Sequence, residues 1–129
     1  MKKTISLIAA ILILAALLCS CNEKGPEPVT PARLTYSPYG ENISVELTDE
    51  ETETVKEIFK RALPLPAGQM LSCGFGPDVS IEVDGIIYKI GSDSCGSLEV
   101  GLTSYDISDA DIKVIHEIFE KYGGHFPCV

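Results

Sequence analysis

The chain has few of the side chains that nucleic-acid-binding proteins and most hydrolases need. It holds 10 lysines and arginines against 19 acidic residues, which gives a net charge of −9. Nucleic acid binding requires a basic surface, so this balance argues against it. The two histidines are His116 and His125, and there is no Gly-x-Ser-x-Gly motif. A Cys128–His125 pair could supply a nucleophile and a base, but we favour a free or bridged Cys128 and predict no enzyme.

Motifs for cofactors and metal ions are scarce as well. No calcium-loop spacing is present, and the glycines after Cys73 lack the strand and helix that flank a phosphate-binding loop. One pair, His125-x-x-Cys128, has a chelating spacing, whereas zinc sites usually show two such pairs. We therefore expect neither a cofactor nor a resident metal.

The first twenty residues have the pattern of a signal peptide. Lys2 and Lys3 precede an apolar run over residues 5–18, which is too short to span a membrane. The run ends in Leu18-Cys19-Ser20-Cys21, which resembles the lipobox of bacterial lipoproteins. That resemblance implies cleavage after Ser20, diacylation of Cys21, and a lipid-anchored, extracytoplasmic place in the cell envelope. The alternative is an ordinary signal peptide that is cut near the same position.

We expect three regions along the chain. Residues 1–20 form the signal peptide, and residues 21–31 form the lipidated cysteine and a disordered, proline-rich tether. Residues 32–129 form a single domain with room for one small core. Loss of Lys2 and Lys3 with the signal peptide lowers the net charge from −9 to about −11. The lipid, not a basic surface, would then hold the chain on its membrane.

The strongest structural signal in the domain is a β-hairpin over residues 79–90. Two alternating apolar runs flank Asp84-Gly85, a pair that suits a type I′ turn because both positions need a positive φ. The predicted register places Val83 opposite Ile86 and Ile81 opposite Tyr88. Shorter strands are predicted near residues 32–36, 43–47 and 98–102.

Two amphipathic helices complete the prediction. The first begins with a capping box at Thr48 and Glu51, and the second begins at Ser108 and ends at Gly123-Gly124. The fold class is therefore α+β, with an antiparallel sheet of four to five strands, a central Asp-Gly hairpin and both helices packed on one face. We expect Phe126 to pack back on the domain.

The two predicted helices resemble each other over residues 47–60 and 107–120, which align without gaps. Asp49, Glu57, Ile58 and Phe59 are identical to the residues sixty positions later. Duplication of a strand–helix unit would explain this, and so would convergence on a capped, amphipathic pattern. We favour convergence, because the regions between the helices do not align.

Three cysteines remain in the exported domain. Extension of the hairpin register brings Cys73 near Cys95, so we predict a disulfide between them, in a compartment that permits one. It would contribute on the order of 3 kcal/mol to stability. Cys128 would be left over, although it could bridge to either of the others.

The sequence predicts a membrane-anchored binding or protein-interaction module of unknown partner. A sharper version of this prediction is an inhibitor of a cationic protein. Loop aromatics and acids are the candidate binding residues, although each aromatic alone is more often a core cap: Tyr36, Tyr39, Phe75, Asp78, Asp93 and Tyr105. The alternative is a metal-binding or thiol-active envelope protein that uses Cys73, Cys95, Cys128 and His125.

The mass of the exported chain distinguishes these two functions. After purification without reductant and treatment with a thiol alkylator, we expect a metal-free mass two hydrogens light, with one alkylated thiol. Native mass spectrometry measures both. Bound zinc or three alkylated thiols would contradict the disulfide and favour the metal-binding or thiol-active alternative.

Overall fold

The computed structural model describes residues 28–67, 69, 79–91 and 96–126. These residues form an α+β fold, which confirms the predicted class. In chain order the elements are β1 (Arg33–Tyr36), a 3₁₀ turn (Pro38–Gly40), β2 (Ile43–Glu46), α1 (Asp49–Arg61), β3 (Leu63–Pro64), β4 (Val79–Val83), β5 (Ile86–Ile90), β6 (Ser97–Val100), β7 (Thr103–Asp106) and α2 (Asp109–Lys121). The predicted pair Cys73 and Cys95 lies outside the described residues, as does Cys128.

The strands form one antiparallel sheet in the order β2-β1-β4-β5-β6-β7-β3. β4 and β5 lie in its middle, with Val83 opposite Ile86. Between them, Asp84 and Gly85 have φ values of 50° and 80°. The sheet therefore turns at these two residues with the left-handed backbone that a two-residue turn requires.

The described sheet has seven strands, so the prediction of four to five is wrong. The missed strands are β3, which is two residues long, and β7, whose sequence Thr-Ser-Tyr-Asp has no apolar alternation. Leu102 was predicted to continue the strand from Leu98. It lies instead in a turn, fully exposed, because Gly101 adopts a φ of 60° and reverses the chain.

Both helices begin with a side-chain cap. The Thr48 hydroxyl accepts a hydrogen bond from the Glu51 amide, and the Glu51 carboxylate accepts one from the Thr48 amide, which confirms the predicted capping box. The Ser108 hydroxyl accepts from the Asp111 amide at 3.2 Å. Neither helix of the described ranges is long and apolar enough to cross a membrane.

The helices cover one face of the sheet. The Phe59 ring of α1 stacks on Tyr88 of β5 at 4.1 Å, and the Phe119 ring of α2 meets Tyr36 of β1 edge-on at 4.9 Å. Tyr36 pairs with Val79, and two residues later Ile81 pairs with Tyr88, so both tyrosines project from the same face. The core lies between this face and four buried positions of each helix: Thr52, Val55, Ile58 and Phe59, and Ile112, Ile115, Ile118 and Phe119.

Two equivalent ion pairs join the helices. The Lys121 ammonium lies 2.6 Å from the Glu51 carboxylate, and the Arg61 guanidinium lies 2.7 Å from the Asp111 carboxylate. Glu51 and Asp111 are sixty positions apart, and so are Arg61 and Lys121. The N-terminus of each helix is thereby tied to the C-terminus of the other, so the helices run antiparallel.

The likeness of the two helices extends to the strands that precede them. β2 and β7 are sixty positions apart and β1 and β6 sixty-four, because the loop 37–42 is four residues longer than the turn 101–102. The Leu47 amide donates to the Ala32 carbonyl, and the Ile107 amide donates to the Gly96 carbonyl. The described fold is thus a ββα unit made twice, with β2-β1-β4 at one side of the sheet and β7-β6-β5 at the other.

Glu51 makes the stability of this arrangement depend on pH. Its side chain is only 13% exposed. Burial alone would raise the pKa of Glu51, but hydrogen bonds from Lys121, Tyr122 and Thr48 outweigh burial and lower the pKa from 4.5 to about 2. A carboxyl group whose pKa is lowered by folding stabilises the fold above its unfolded pKa. That stabilisation is lost as the pH falls toward the folded pKa.

We expect Glu51→Gln to lower the free energy of unfolding by about 2 kcal/mol near neutral pH. The difference from wild type should shrink as the pH falls to about 3. Urea denaturation at the two pH values measures it. Glu50→Gln is the matched control, because it removes the same charge from the same helical turn and Glu50 makes no ion pair. Equal effects of the two substitutions would contradict the assigned role of Glu51.

Candidate functional site

An apolar groove lies on the helix-covered side of the sheet, between α1 and strands β5 to β7. Its volume is about 200 Å³. Seven side chains line it: Phe59, Ala62, Ile86, Tyr88, Leu98, Val100 and Tyr105. The lining has no carboxylate, histidine or cysteine, and its polar side-chain groups are the phenols of Tyr88 and Tyr105. Such a lining can bind an apolar group.

The fold positions the groove residues by simple periodicities. Phe59 belongs to the apolar stripe of α1. Tyr88 shares one face of β5 with Ile86 and Ile90, because every second residue of a strand projects to the same side. Leu98 is fully buried and forms the floor, whereas Ile86 is 46% exposed and opens the groove to solvent. The groove is therefore a depression in the core packing that solvent reaches from one side.

The surroundings of the groove are partly desolvated. Burial raises the pKa of the Tyr88 phenol, and the nearby Tyr105 and Asp84 raise it further. The Asp84 carboxylate forms an ion pair with the Lys56 ammonium of α1 at 3.3 Å, and the Asp84 side chain is 58% exposed. A carboxylate thus lies beside the groove and is still open to solvent.

The candidate binding aromatics lie in three different environments. Tyr36 is buried in the core, and its hydroxyl donates a hydrogen bond to the Tyr122 carbonyl. Tyr39 is fully exposed in the 3₁₀ turn, where its φ of 55° is unusual for a residue with a side chain. Tyr105 lines the groove. Phe75, Asp78 and Asp93 lie outside the described residues.

His116 stacks on an aromatic ring. Its imidazole lies 3.9 Å from the Phe126 ring, which also contacts Phe119 at 4.6 Å and confirms that the tail packs back. Burial lowers the pKa of His116, although Glu120 opposes this. Its Nε2 atom is buried and finds no hydrogen-bond partner in the described part of the chain. No group of three His, Cys, Asp or Glu that could hold a metal occurs there.

The charges of the described residues are unevenly neutralised. Every lysine and arginine in these ranges lies within 4.0 Å of a carboxylate: Arg33, Lys56, Lys60, Arg61, Lys89, Lys113 and Lys121. Seven described carboxylates make no ion pair: Glu41, Asp49, Glu50, Glu82, Asp106, Asp109 and Glu120. The described surface therefore offers negative charge without competing free cations.

No family model matches this sequence, and no curated protein or solved structure matches it.

Sequence reasoning predicted the helix and strands that carry Phe59, Tyr88 and Leu98 but did not find the groove between them. One signal was present. If the gap-free helix alignment is continued, Ala62 falls opposite Tyr122, a difference of one large side chain at equivalent positions. Only the sheet shows that this difference leaves open space.

Tyr36 and Tyr39 should respond oppositely to truncation. Tyr36→Ala removes a buried ring and should lower the free energy of unfolding by about 3 kcal/mol or more. Tyr39→Ala should change it by less than about 0.5 kcal/mol, because the ring contacts solvent. Chemical denaturation of the two variants measures this. A large loss from Tyr39→Ala would mean that the exposed tyrosine packs against the chain.

Proposed function

We propose that this chain is a lipid-anchored, extracytoplasmic binding module whose partner is a cationic protein. The signal peptide and the lipobox-like sequence ending at Cys21 support the anchor. An inhibitor-like role toward a basic envelope or host enzyme, of the lysozyme type, would fit this surface. The β4–β5 pair around Asp84-Gly85 would give the module a rigid centre.

The ion-pair distribution is the observation that carries the proposal. An acidic protein whose cations were free would present both signs to a partner. Here each described cation is already paired, and seven carboxylates are not. Complementary charge increases the rate of association and disfavours acidic partners, because like charges brought together are costly.

The unpaired carboxylates are spread over several elements. Glu41 lies in the loop after β1, Glu82 on β4, Glu120 in the last turn of α2, and the others at the ends of β7 and the helices. In β4, Glu82 projects to the side away from the helices, because it lies between the buried residues Ile81 and Val83. We expect this distribution to attract a cationic partner over a broad surface rather than at one point.

The test is binding to a basic, lysozyme-type enzyme measured by calorimetry. The dissociation constant should rise by about tenfold or more between about 0.05 M and 0.3 M salt, because salt screens exposed charges. Replacement of Glu41, Glu82 and Glu120 by glutamine should weaken binding by several-fold, about threefold or more. Replacement of the same three residues by aspartate is the charge-preserving control and should leave binding within about twofold.

Two results would contradict the proposal. One is an affinity that does not change with salt. The other is equal weakening by the glutamine and aspartate variants, which would show that shape rather than charge matters at these positions.

A further inference from the structure

The two ββα units provide equivalent positions that can be compared directly. Phe59 of α1 corresponds to Phe119 of α2, and Ala62 corresponds to Tyr122, each sixty positions apart. On the strands, β1 corresponds to β6, so Tyr36 corresponds to Val100. At two of these three positions, the side chain beside α1 is smaller than its equivalent beside α2.

Around α2, the chain fills its own groove. Tyr36 packs edge-on against Phe119, and Phe126 packs against Phe119 from the segment that follows the helix. Gly124 allows that segment to come close, since a Cβ atom there would lie 2.3 Å from the Phe119 ring. The apolar space beside α2 is therefore occupied by two aromatic rings of the chain itself.

Around α1, the chain takes another course. After Arg61 it pairs with β7, with Leu63 opposite Asp106 and Pro64 opposite Tyr105. The smaller Val100 and Ala62 replace Tyr36 and Tyr122, and both line the open groove of about 200 Å³. Tyr88 stacks on Phe59 at 4.1 Å, but no described residue takes the place beside α1 that Phe126 takes beside α2.

We propose that the groove beside α1 is the docking site for one aromatic side chain of a partner protein. The occupied site beside α2 shows the chemistry that this framework accepts, which is a phenyl ring against Phe119. The groove is smaller than the roughly 300 Å³ or more that is typical of small-molecule sites, but it is large enough for a single ring. Aromatic side chains inserted in such pockets often dominate the energy of protein interfaces.

The surface charge favours basic residues next to that aromatic. Asp84, two residues before Ile86, already pairs with Lys56 at 3.3 Å, and the described surface has unpaired carboxylates but no unpaired cation to repel a basic segment. This preference for basic neighbours rests on the proposed function, whereas the preference for an aromatic side chain does not.

Methyl NMR of the chain as the cell exports it tests the proposal, in a lipid nanodisc if it carries lipid. The probes are blocked tripeptides: arginine–phenylalanine–arginine, the same peptide with a central alanine, and glutamate–phenylalanine–glutamate. The first should shift the Ile86 and Val100 methyl signals and leave those of Leu34 and Ile118 unchanged. The alanine peptide should bind at least about tenfold more weakly, since it cannot bury a ring.

Two variants place an aromatic side chain beside α1 at the positions that Tyr122 and Tyr36 occupy beside α2. Ala62→Tyr and Val100→Phe should each abolish the phenylalanine-dependent shift at Ile86. Ser104→Tyr is the matched control, because residue 104 lies beside Tyr105 on β7 but projects from the opposite face of the sheet. Circular dichroism shows whether each variant folds, and two independent filling variants guard against the loss of one.

Each outcome has a definite meaning. Equal binding of the phenylalanine and alanine peptides, or an unchanged Ile86 shift in both folded filling variants, would overturn the proposal. Ile86 signals that change with chain concentration alone would also overturn it and would indicate a second copy as the occupant. Binding of the glutamate peptide as tight as that of the arginine peptide would support the groove but contradict the cationic partner.

Discussion

The carboxylate at the third position of each helix holds the two halves of this fold together. Glu51 caps its own helix through Thr48 and also accepts hydrogen bonds from Lys121 and Tyr122 of the other helix. Asp111 lies at the equivalent position and pairs with Arg61. Each of these acids stabilises the positive end of one helix dipole and binds a cation at the negative end of the other. These pairs fix the antiparallel helices relative to each other, while the buried side chains of both helices pack on one face of the sheet.

The repeated framework makes the difference between the halves informative. The apolar site beside α2 is filled and the equivalent site beside α1 is left open by the described residues, because Val100 and Ala62 stand beside α1 at the positions that Tyr36 and Tyr122 occupy beside α2. Phe126 fills the site beside α2, whereas no residue of the described ranges fills the groove beside α1. This asymmetry and the carboxylates that make no ion pair are the two observations on which the proposed binding role rests.

Much of the local structure could be predicted from the sequence, because local interactions determine it. The helix caps at Thr48 and Ser108 depend on residues three positions apart, and both were found. β7 was not found, since its polar sequence becomes a strand only by pairing with β6 and β3. The cross-helix ion pairs and the groove could not be found either, because they join residues that only the folded sheet brings together. The likeness of the units was underestimated, since four extra residues in the first loop conceal it; its extension to the strands favours duplication over convergence.

The most direct test of the open groove beside α1 is to measure the solvent accessibility of methyl groups in the two halves of the fold. A soluble paramagnetic agent broadens the NMR signals of exposed methyls far more than those of buried ones. If the groove beside α1 is open, the Ile86 and Val100 signals should broaden strongly, and those of Leu34 and Ile118, which lie in the core, should broaden weakly. Equal protection of all four would contradict an open groove, because it would mean that the groove is filled in the complete chain and is closed to a partner.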